Sequence, residues 1–302
     1  MKRFLKIIAA LVAVLAIVYF LGPKPAAPNY NNNLIQVPSD PAALEAFIRS
    51  KEAAHKVKPD NEARIVWAND STKAKTPYVI VYLHGFSASQ EEGNPVHRNI
   101  AKQFGCNMYL ARLSEHGIDT IDPLVNMTAT SLWESAKEAY AIGKQLGDKV
   151  ILMGTSTGGT VALELASNFE DVAGLVLYSP NIAINNPSAF LTNNPWGLQI
   201  ARMVIGGKEN IIKNKPPEFK KYWNDHYRLE SIVELQELLE TTMIPSHFNK
   251  IKCPLLTLYY FKDEKNQDPV VKVSAMKEMF EAVATPANLK SLIWSFTNCC
   301  WD

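Results

Sequence analysis

Short runs of β-branched and aromatic residues alternate with helical patterns from residue 64 onward, and this alternation constrains the fold more than any other feature. The strand candidates are Arg64–Ala68, Tyr78–Leu83, Asn107–Ala111, Lys149–Met153, Ala173–Tyr178, Pro254–Tyr260 and Leu289–Ser295. The helical patterns are Pro95–Phe104, Ser131–Leu146, Gly158–Asn168 and Val271–Ala284. Strands that alternate with helices form a mainly parallel sheet covered by helices on both faces. We therefore predict an α/β fold.

One long interval breaks this alternation. Between Asn181 and Lys252 no segment is a good strand candidate, and the apolar residues follow amphipathic helical spacing. The interval is too long for a plain connection between two elements of a compact domain. We therefore predict a helical cap at about residues 182–250, inserted between two strands of the sheet.

The N-terminal 22 residues have the composition of a secretory signal or a signal anchor. Lys2, Arg3 and Lys6 precede an uncharged stretch of 16 residues, Ile7–Gly22. Because no A-x-A cleavage site follows, we expect an uncleaved anchor at residues 1–22 with the rest of the chain exported to the periplasmic or extracellular side. Cleavage would instead give a secreted protein. Residues 23–58 are predicted to be a linker and lead-in, since four prolines lie between residues 23 and 40.

Composition excludes several classes of protein. Hydrophobic residues make up 47% of the chain and charged residues 20%, which suits a globular core. The net charge is only +1, whereas a nucleic-acid-binding protein needs clustered Lys and Arg. The six histidines never fall at metal-ligand spacing. We therefore expect no nucleic-acid partner, no metal and no cofactor.

The segment 154–159, Gly-Thr-Ser-Thr-Gly-Gly, is the strongest chemical signal. It lies between a predicted strand and a predicted helix, which is the context of a G-x-S-x-G nucleophile elbow. Gly154 and Gly158 lack side chains, so the backbone can double back at this point. The turn lifts Ser156 above the carboxyl ends of the strands, where open sheets bind ligands. We therefore predict that Ser156 is a nucleophile.

A second signal is Leu-His-Gly-Phe at residues 83–86, directly after a predicted strand. Acyl transfer needs two backbone amides to hold the developing oxyanion. We assign these donors to the N–H groups of Phe86 and Thr157. His84 precedes the turning glycine, and we expect it to be a buried structural residue.

Together with Glu-His-Gly at 115–117 and Gln-Asp-Pro-Val-Val at 267–271, these motifs resemble the α/β-hydrolase superfamily, in its monoacylglycerol-lipase-like and serine-aminopeptidase-like branch. The resemblance covers roughly residues 60–302. It implies an α/β-hydrolase domain at residues 59–302, with a cap inserted after the sixth strand of the family fold. It also implies a serine hydrolase that cleaves carboxylic esters, with a small-molecule ester or a lipid as substrate.

The resemblance places the triad acid after the strand that follows the cap. Asp268 is followed by Pro-Val-Val, which matches the family pattern, whereas Asp263 lies in a charged cluster and is the second candidate. The triad His should follow the last strand, but the sequence holds no His after His247. We expect a truncation or frameshift at the C-terminal His loop.

Other interpretations stay open. A His of the cap, such as His226, could act as the base, or the chain could be a catalytically inactive, membrane-anchored binding protein. A serine aminopeptidase is a further alternative. It would need an acid for the substrate's amine, for which Glu91 and Glu92 are candidates, although adjacent acids on an exposed loop are usually solvated.

Overall fold

A seven-stranded sheet forms the centre of the protein in a computed structural model, which describes residues 1–295. The strands of this part of the chain are β1 Arg64–Val66, β2 Thr76–Leu83, β3 Asn107–Leu110, β4 Gly147–Thr155, β5 Val172–Tyr178, β6 Glu209–Ile211, β7 His226–Arg228, β8 Leu255–Tyr260 and β9 Lys290–Ser295. The sheet has the order β1-β3-β2-β4-β5-β8-β9, and every neighbouring pair is parallel except β1 with β3.

Helices cover both faces of this sheet. Residues 1–295 contain α1 Lys2–Phe20, α2 Pro41–Glu52, α3 Val96–Gln103, α4 Ala129–Leu146, α5 Thr157–Asn168, α6 Gly197–Ile205, α7 Phe219–Tyr222, α8 Leu229–Thr242, α9 Pro245–Phe248 and α10 Val273–Ala282. Along β2, Val79, Val81 and Leu83 face one buried cluster, whereas Ile80 and Tyr82 face another. This alternation is that of a strand buried on both sides. The predicted α/β fold is therefore confirmed.

The segment between β5 and β8, which we call the insert, differs from the sequence prediction in one way. It is not wholly helical, because β6 and β7 form an antiparallel hairpin in which Asn210 pairs with Tyr227. Each strand is only three residues long, too short to show a clear period of two in the sequence. The insert follows the fifth strand of this chain, since four strands precede β5 in residues 1–295. Its place after the sixth strand of the family fold stays a prediction.

Residues 23–40 are not a free linker. They contain no helix or strand, as their prolines predict, but they pack on α4. The indole Nε1–H of Trp133 donates to the Asn31 carbonyl at 2.8 Å. The Lys137 ammonium, with a side chain only 1% exposed, donates to Asn31 Oδ1 at 2.9 Å and to the Asn33 carbonyl at 3.0 Å. This segment therefore completes the core of the domain.

Helix α1 stands apart from that core. None of its 19 residues is buried, and it is long and apolar enough to cross a membrane. A signal sequence near an N-terminus has the same length and composition, so α1 is weak support for a membrane anchor or a signal peptide.

The contact between residue 31 and Lys137 gives a testable prediction. We expect Asn31→Ala to lower the free energy of unfolding by about 1–3 kcal/mol, because a buried ammonium loses one of its acceptors. The measurement is urea unfolding of the full chain in detergent. Asn32→Ala is the matched control, since the Asn32 side chain contacts Asn168 in an exposed position. Equal effects of the two substitutions would contradict the structural role of Asn31.

Candidate active site

Ser156 lies at the sharp corner between β4 and α5. Its φ of 49° and ψ of −115° are strained for a residue with a side chain. Three backbone hydrogen bonds hold this conformation. The Ser156 N–H donates to the Tyr178 carbonyl at 2.9 Å, and the Ser156 carbonyl accepts from the N–H groups of Thr160 at 3.1 Å and Asn181 at 3.0 Å. The surrounding structure therefore fixes the strained corner.

The glycines around this corner have no room for a side chain. A Cβ on Gly154 would lie 2.6 Å from the Gly158 carbonyl group, and one on Gly158 would lie 1.9 Å from the Leu83 carbonyl oxygen. A Cβ on Gly159 would lie 2.8 Å from Pro180. The start of α5 therefore packs directly against the end of β2.

In this region two backbone N–H groups have no protein acceptor within residues 1–295. Leu83 pairs with Gly154 across β2 and β4, so residues 85–86 and 156–157 follow neighbouring strands at the same level of the sheet. Within residues 1–295, neither the Phe86 N–H nor the Thr157 N–H donates to a protein atom. Thr157 is the first residue of α5, where helix amides are normally unsatisfied.

Glu92 lies beneath the turn that carries Phe86. Its Oε2 accepts the Gly85 N–H at 2.6 Å, and a Cβ on Gly85 would lie 2.8 Å from Oε1. Burial raises the pKa of the Glu92 carboxyl to about 7, while hydrogen bonds from Gly85 and Tyr82 act in the opposite direction. The expectation of a solvated acid at this position is therefore wrong. Adjacent Glu residues gave no sequence signal for this buried role.

His84 supports the same turn from the other side. Its Nε2 accepts the Leu113 N–H at 3.0 Å, so Nδ1 carries the hydrogen and donates to the Gly85 carbonyl at 2.9 Å. The ring is fully buried, and burial together with the nearby His116 holds its pKa well below the usual range. A neutral imidazole with both nitrogens engaged is a structural group.

Asp268 and Asp263 occupy different environments after β8. The loop folds back on itself through a bridge between Phe261 and Gln267, and the Asp268 N–H donates to the Tyr260 carbonyl at 3.3 Å. Asp268 is only 3% exposed. Its Oδ1 accepts the N–H groups of Val270 at 2.9 Å and Val271 at 3.1 Å. Asp263 is exposed at the loop tip. The structure therefore brings Asp268, not Asp263, back to the carboxyl end of β8.

The buried histidines other than His84 are also held by the backbone. His97 contacts the Gln90 carbonyl through Nε2 and accepts the Arg98 N–H at Nδ1, both at 2.9 Å. His116 contacts the Ser114 carbonyl through Nδ1 at 2.8 Å. Burial lowers the pKa of each imidazole to about 4. Both rings are therefore neutral structural groups.

The remaining histidines lie away from the corner. His247 pairs with Glu164 at 2.7 Å, and Glu164 lies about 12 Å along α5 from Ser156 at 1.5 Å per residue. His226 contacts Asp225, and it points away from the strand face on which Tyr227 meets Phe86, because neighbouring strand residues face opposite sides. His55 is exposed after α2, which packs on the edge strand β1.

An apolar cavity of about 440 Å³ lies in the insert, close to the turn after β2. It is lined by α6, the hairpin and the start of α8, including Tyr227, Leu229 and Ile232. The Tyr227 ring packs edge-to-face on Phe86 with centroids 4.9 Å apart. The Tyr227 ring therefore separates the cavity from the Phe86 side chain.

A parallel sheet with a strained Ser between β4 and its helix, beside a His-Gly turn after β2, defines the class of α/β hydrolases. Residues 129–293, more than half of the chain, match the model of the Hydrolase_4 family, described as Serine aminopeptidase, S33. The chain belongs to this family.

Known proteins similar to this chain include lipolytic enzymes. The thermostable monoacylglycerol lipase of Bacillus sp. (strain H-257) is 26% identical over 194 residues, which are 64% of this chain and 72% of that protein. A solved structure described under LipS and LipT, two metagenome-derived lipolytic enzymes, has a TM-score of 0.63 at 18% identity, covering 79% of this chain and 89% of the other. The monoacylglycerol lipase of Paleococcus ferrophilus has a TM-score of 0.54 at 16% identity, covering 78% and 88%. The two structures show a shared fold.

The buried carboxyl beneath the turn makes stability depend on pH. The pKa of Glu92 is about 7 in the folded chain, which is above its ordinary value of 4.5. The contribution of Glu92 to the free energy of unfolding is therefore greatest below pH 4.5, and it falls as the pH rises towards 7. We expect Glu92→Gln to gain stability relative to the unchanged protein between pH 5 and pH 8, by up to about 3 kcal/mol at 1.4 kcal/mol per pKa unit. Urea unfolding at both pH values measures this.

The control is the neighbouring Glu91→Gln, because the Glu91 carboxylate contacts the side chain of Asn94 on the surface. The difference in free energy of unfolding between Glu91→Gln and the unchanged protein should be the same at both pH values. Parallel stability profiles for Glu92→Gln and the unchanged protein would contradict the buried, proton-binding role of Glu92.

Proposed function

We propose that this protein is a serine esterase of the lipase and carboxylesterase type, with Ser156 as nucleophile. The observation that carries this proposal is the strained backbone of Ser156, held at φ 49° between two glycines that admit no side chain. Strain of this kind persists where the surrounding structure maintains it, and it clusters at active sites. The lipolytic relatives support the same reaction class.

In the proposed reaction, Ser156 Oγ attacks the ester carbonyl carbon and loses its proton to a base. The carbonyl oxygen becomes an oxyanion, which the N–H groups of Phe86 and Thr157 hold. The alcohol leaves with a proton from the protonated base, and water then hydrolyses the acyl-enzyme. Asp268 orients the base. For this role one of its carboxylate oxygens must be free to accept a hydrogen bond from the base. Within residues 1–295 no hydrogen bond engages Asp268 Oδ2, since the two backbone donors both contact Oδ1.

The proposed substrate carries an apolar acyl group. The apolar cavity of about 440 Å³ contacts the Phe86 side chain through Tyr227, and we assign the acyl group of the ester to it. The proposed location is a membrane, with α1 as anchor and the hydrolase domain exported. The apolar, fully exposed α1 supports this location.

The base is the part of the triad for which the chain offers no histidine in a suitable position. The histidines that the structure describes are held by other groups or lie away from the corner. This favours a second candidate function, an anchored binding protein that keeps the hydrolase fold without turnover. The two candidates differ in whether Ser156 can react when a base is supplied.

We expect added imidazole to raise hydrolysis of a p-nitrophenyl acyl ester by this chain, because a small base can accept the Ser156 proton in place of a triad histidine. The increase should be at least about ten-fold, since loss of a triad histidine removes far more than that from turnover. Ser156→Ala is the control and should show no imidazole-dependent rate above that of imidazole and the ester without protein. In the presence of imidazole, a fluorophosphonate probe should label the unchanged chain, and this labelling should disappear in Ser156→Ala.

The binding-protein candidate makes the opposite prediction. It expects neither labelling nor an imidazole-dependent rate, while the folded chain still binds acyl esters. An aminopeptidase would instead hydrolyse aminoacyl p-nitroanilides under the same conditions. Either result would overturn the esterase proposal.

The two acids after β8 provide a separate test. We expect Asp268→Asn to reduce the imidazole-dependent rate by at least about ten-fold, because an amide no longer favours the productive orientation and charge of the imidazole. Asp263→Asn is the matched control and should leave the rate unchanged. Within residues 1–295 the Asp263 carboxylate forms hydrogen bonds only in its own exposed loop, with Lys265 and Asn266. Urea unfolding checks that both variants are folded. Greater loss in Asp263→Asn would assign the acid to that position.

A further inference from the structure

Helix α6 of the insert carries an exposed apolar face. Ile200, Met203 and Val204 lie three and four residues apart, so they share one side of the helix. Met203 and Val204 are 79% and 80% exposed, and Ile205 and Ile211 extend the apolar surface beyond the helix. A contiguous exposed apolar patch usually marks an interaction site. Within residues 1–295 no segment covers this face.

The end of α1 contacts the start of α6. Trp196 directly precedes α6, and its indole Nε1–H donates to the Val18 carbonyl of α1 at 3.0 Å. The Trp196 backbone N–H donates to the Pro23 carbonyl at 2.9 Å. The indole lies directly on Gly22, where a Cβ would be only 2.1 Å from it. The two helices are therefore joined at one point of the structure.

A bilayer that holds α1 would end close to this point. At 1.5 Å per residue, the 19 residues of α1 are about 28 Å long, close to the roughly 30 Å hydrocarbon thickness of a bilayer. Trp196 lies where α1 ends, and tryptophan is enriched at membrane–water interfaces. Met203 and Val204 lie only about 11 Å further along α6.

We propose that the apolar face of α6 rests in the membrane–water interface beside α1, so that the insert is a second membrane contact of this protein. Lys24, which follows α1, and Lys208 and Lys213, which follow α6, are exposed, and their amines suit anionic lipid headgroups. Glu209 is an acid in the segment after α6. This proposal rests on the anchoring by α1 proposed above and is independent of catalysis. A bilayer is the occupant because it is continuous with α1.

The proposal has a consequence for the apolar cavity. Val204 and Ile205 belong both to the exposed face and to the cavity lining, while Tyr227 on the opposite wall packs on Phe86. With the face in the interface, the cavity borders lipid. An acyl chain would then pass from the membrane towards Phe86 through apolar surroundings.

The test places an environment-sensitive fluorescent amino acid at Met203 in the full chain, reconstituted in vesicles of phosphatidylcholine and phosphatidylglycerol. Lipids brominated in their acyl chains quench fluorophores that enter the apolar interface. We expect at least about two-fold quenching at Met203, since an interfacial helix buries its apolar face about 5–10 Å deep. The same amino acid at Phe104 is the matched control and should not be quenched. Phe104 is 71% exposed and precedes the amino end of β3, away from the insert.

Two further measurements exclude other occupants. Val204→Glu should reduce the quenching at Met203 without changing the urea unfolding curve, because the Val204 side chain is exposed. Ser156→Ala should leave the quenching unchanged, so this result does not depend on the proposed reaction. Absence of quenching at Met203 would overturn the proposal. An emission shift that depends on protein concentration but not on brominated lipid would assign the face to a second copy of the chain.

Discussion

The contact between Gly158 and the end of β2 is the constraint on which the candidate site depends. A single methyl group on Gly158 would collide with the Leu83 carbonyl at 1.9 Å, so only glycine allows α5 to start this close to the sheet. This approach places the first turn of α5 next to the turn that carries Phe86. The two free amides and the strained Ser156 therefore share one cause, which is the absence of a side chain at one position.

Buried polar groups around this corner act on the backbone rather than on a substrate. The carbonyl of Gly85 accepts a hydrogen from His84, and its N–H donates to Glu92. The backbone of Gly85 is therefore held from both sides. Because the Gly85 carbonyl and the Phe86 N–H belong to one peptide group, the direction of the Phe86 N–H is fixed as well. An oxyanion donor must be positioned before the reaction, since reorganisation during the reaction weakens its effect. In the proposed reaction, the two buried side chains supply this positioning for the Phe86 N–H.

The sequence contained enough information to predict most of this architecture, because strands and helices of the sheet domain have strong and distinct periods. The elbow was also predictable, since its glycines stand at fixed positions around Ser156. The hairpin of the insert was missed because three-residue strands have no measurable period. The buried state of Glu92 was missed because it depends on Gly85, seven residues earlier, which a local pattern does not show. The preference for Asp268 over Asp263 rested on resemblance, and the folding back of the loop gives it a physical basis.

Packing of residues 29–37 on α4 divides the N-terminal region into two parts with different tolerance to cleavage. A protease that cuts between Pro23 and Pro28 would separate α1 from the domain while leaving Asn31 on Trp133 and Lys137. A cut after Asn33 would remove two acceptors of a buried ammonium and uncover the apolar surface beneath them. The same chain could therefore be shed as a stable, released domain from one short proline-rich stretch, whereas cleavage a few residues later would yield a fragment prone to unfold.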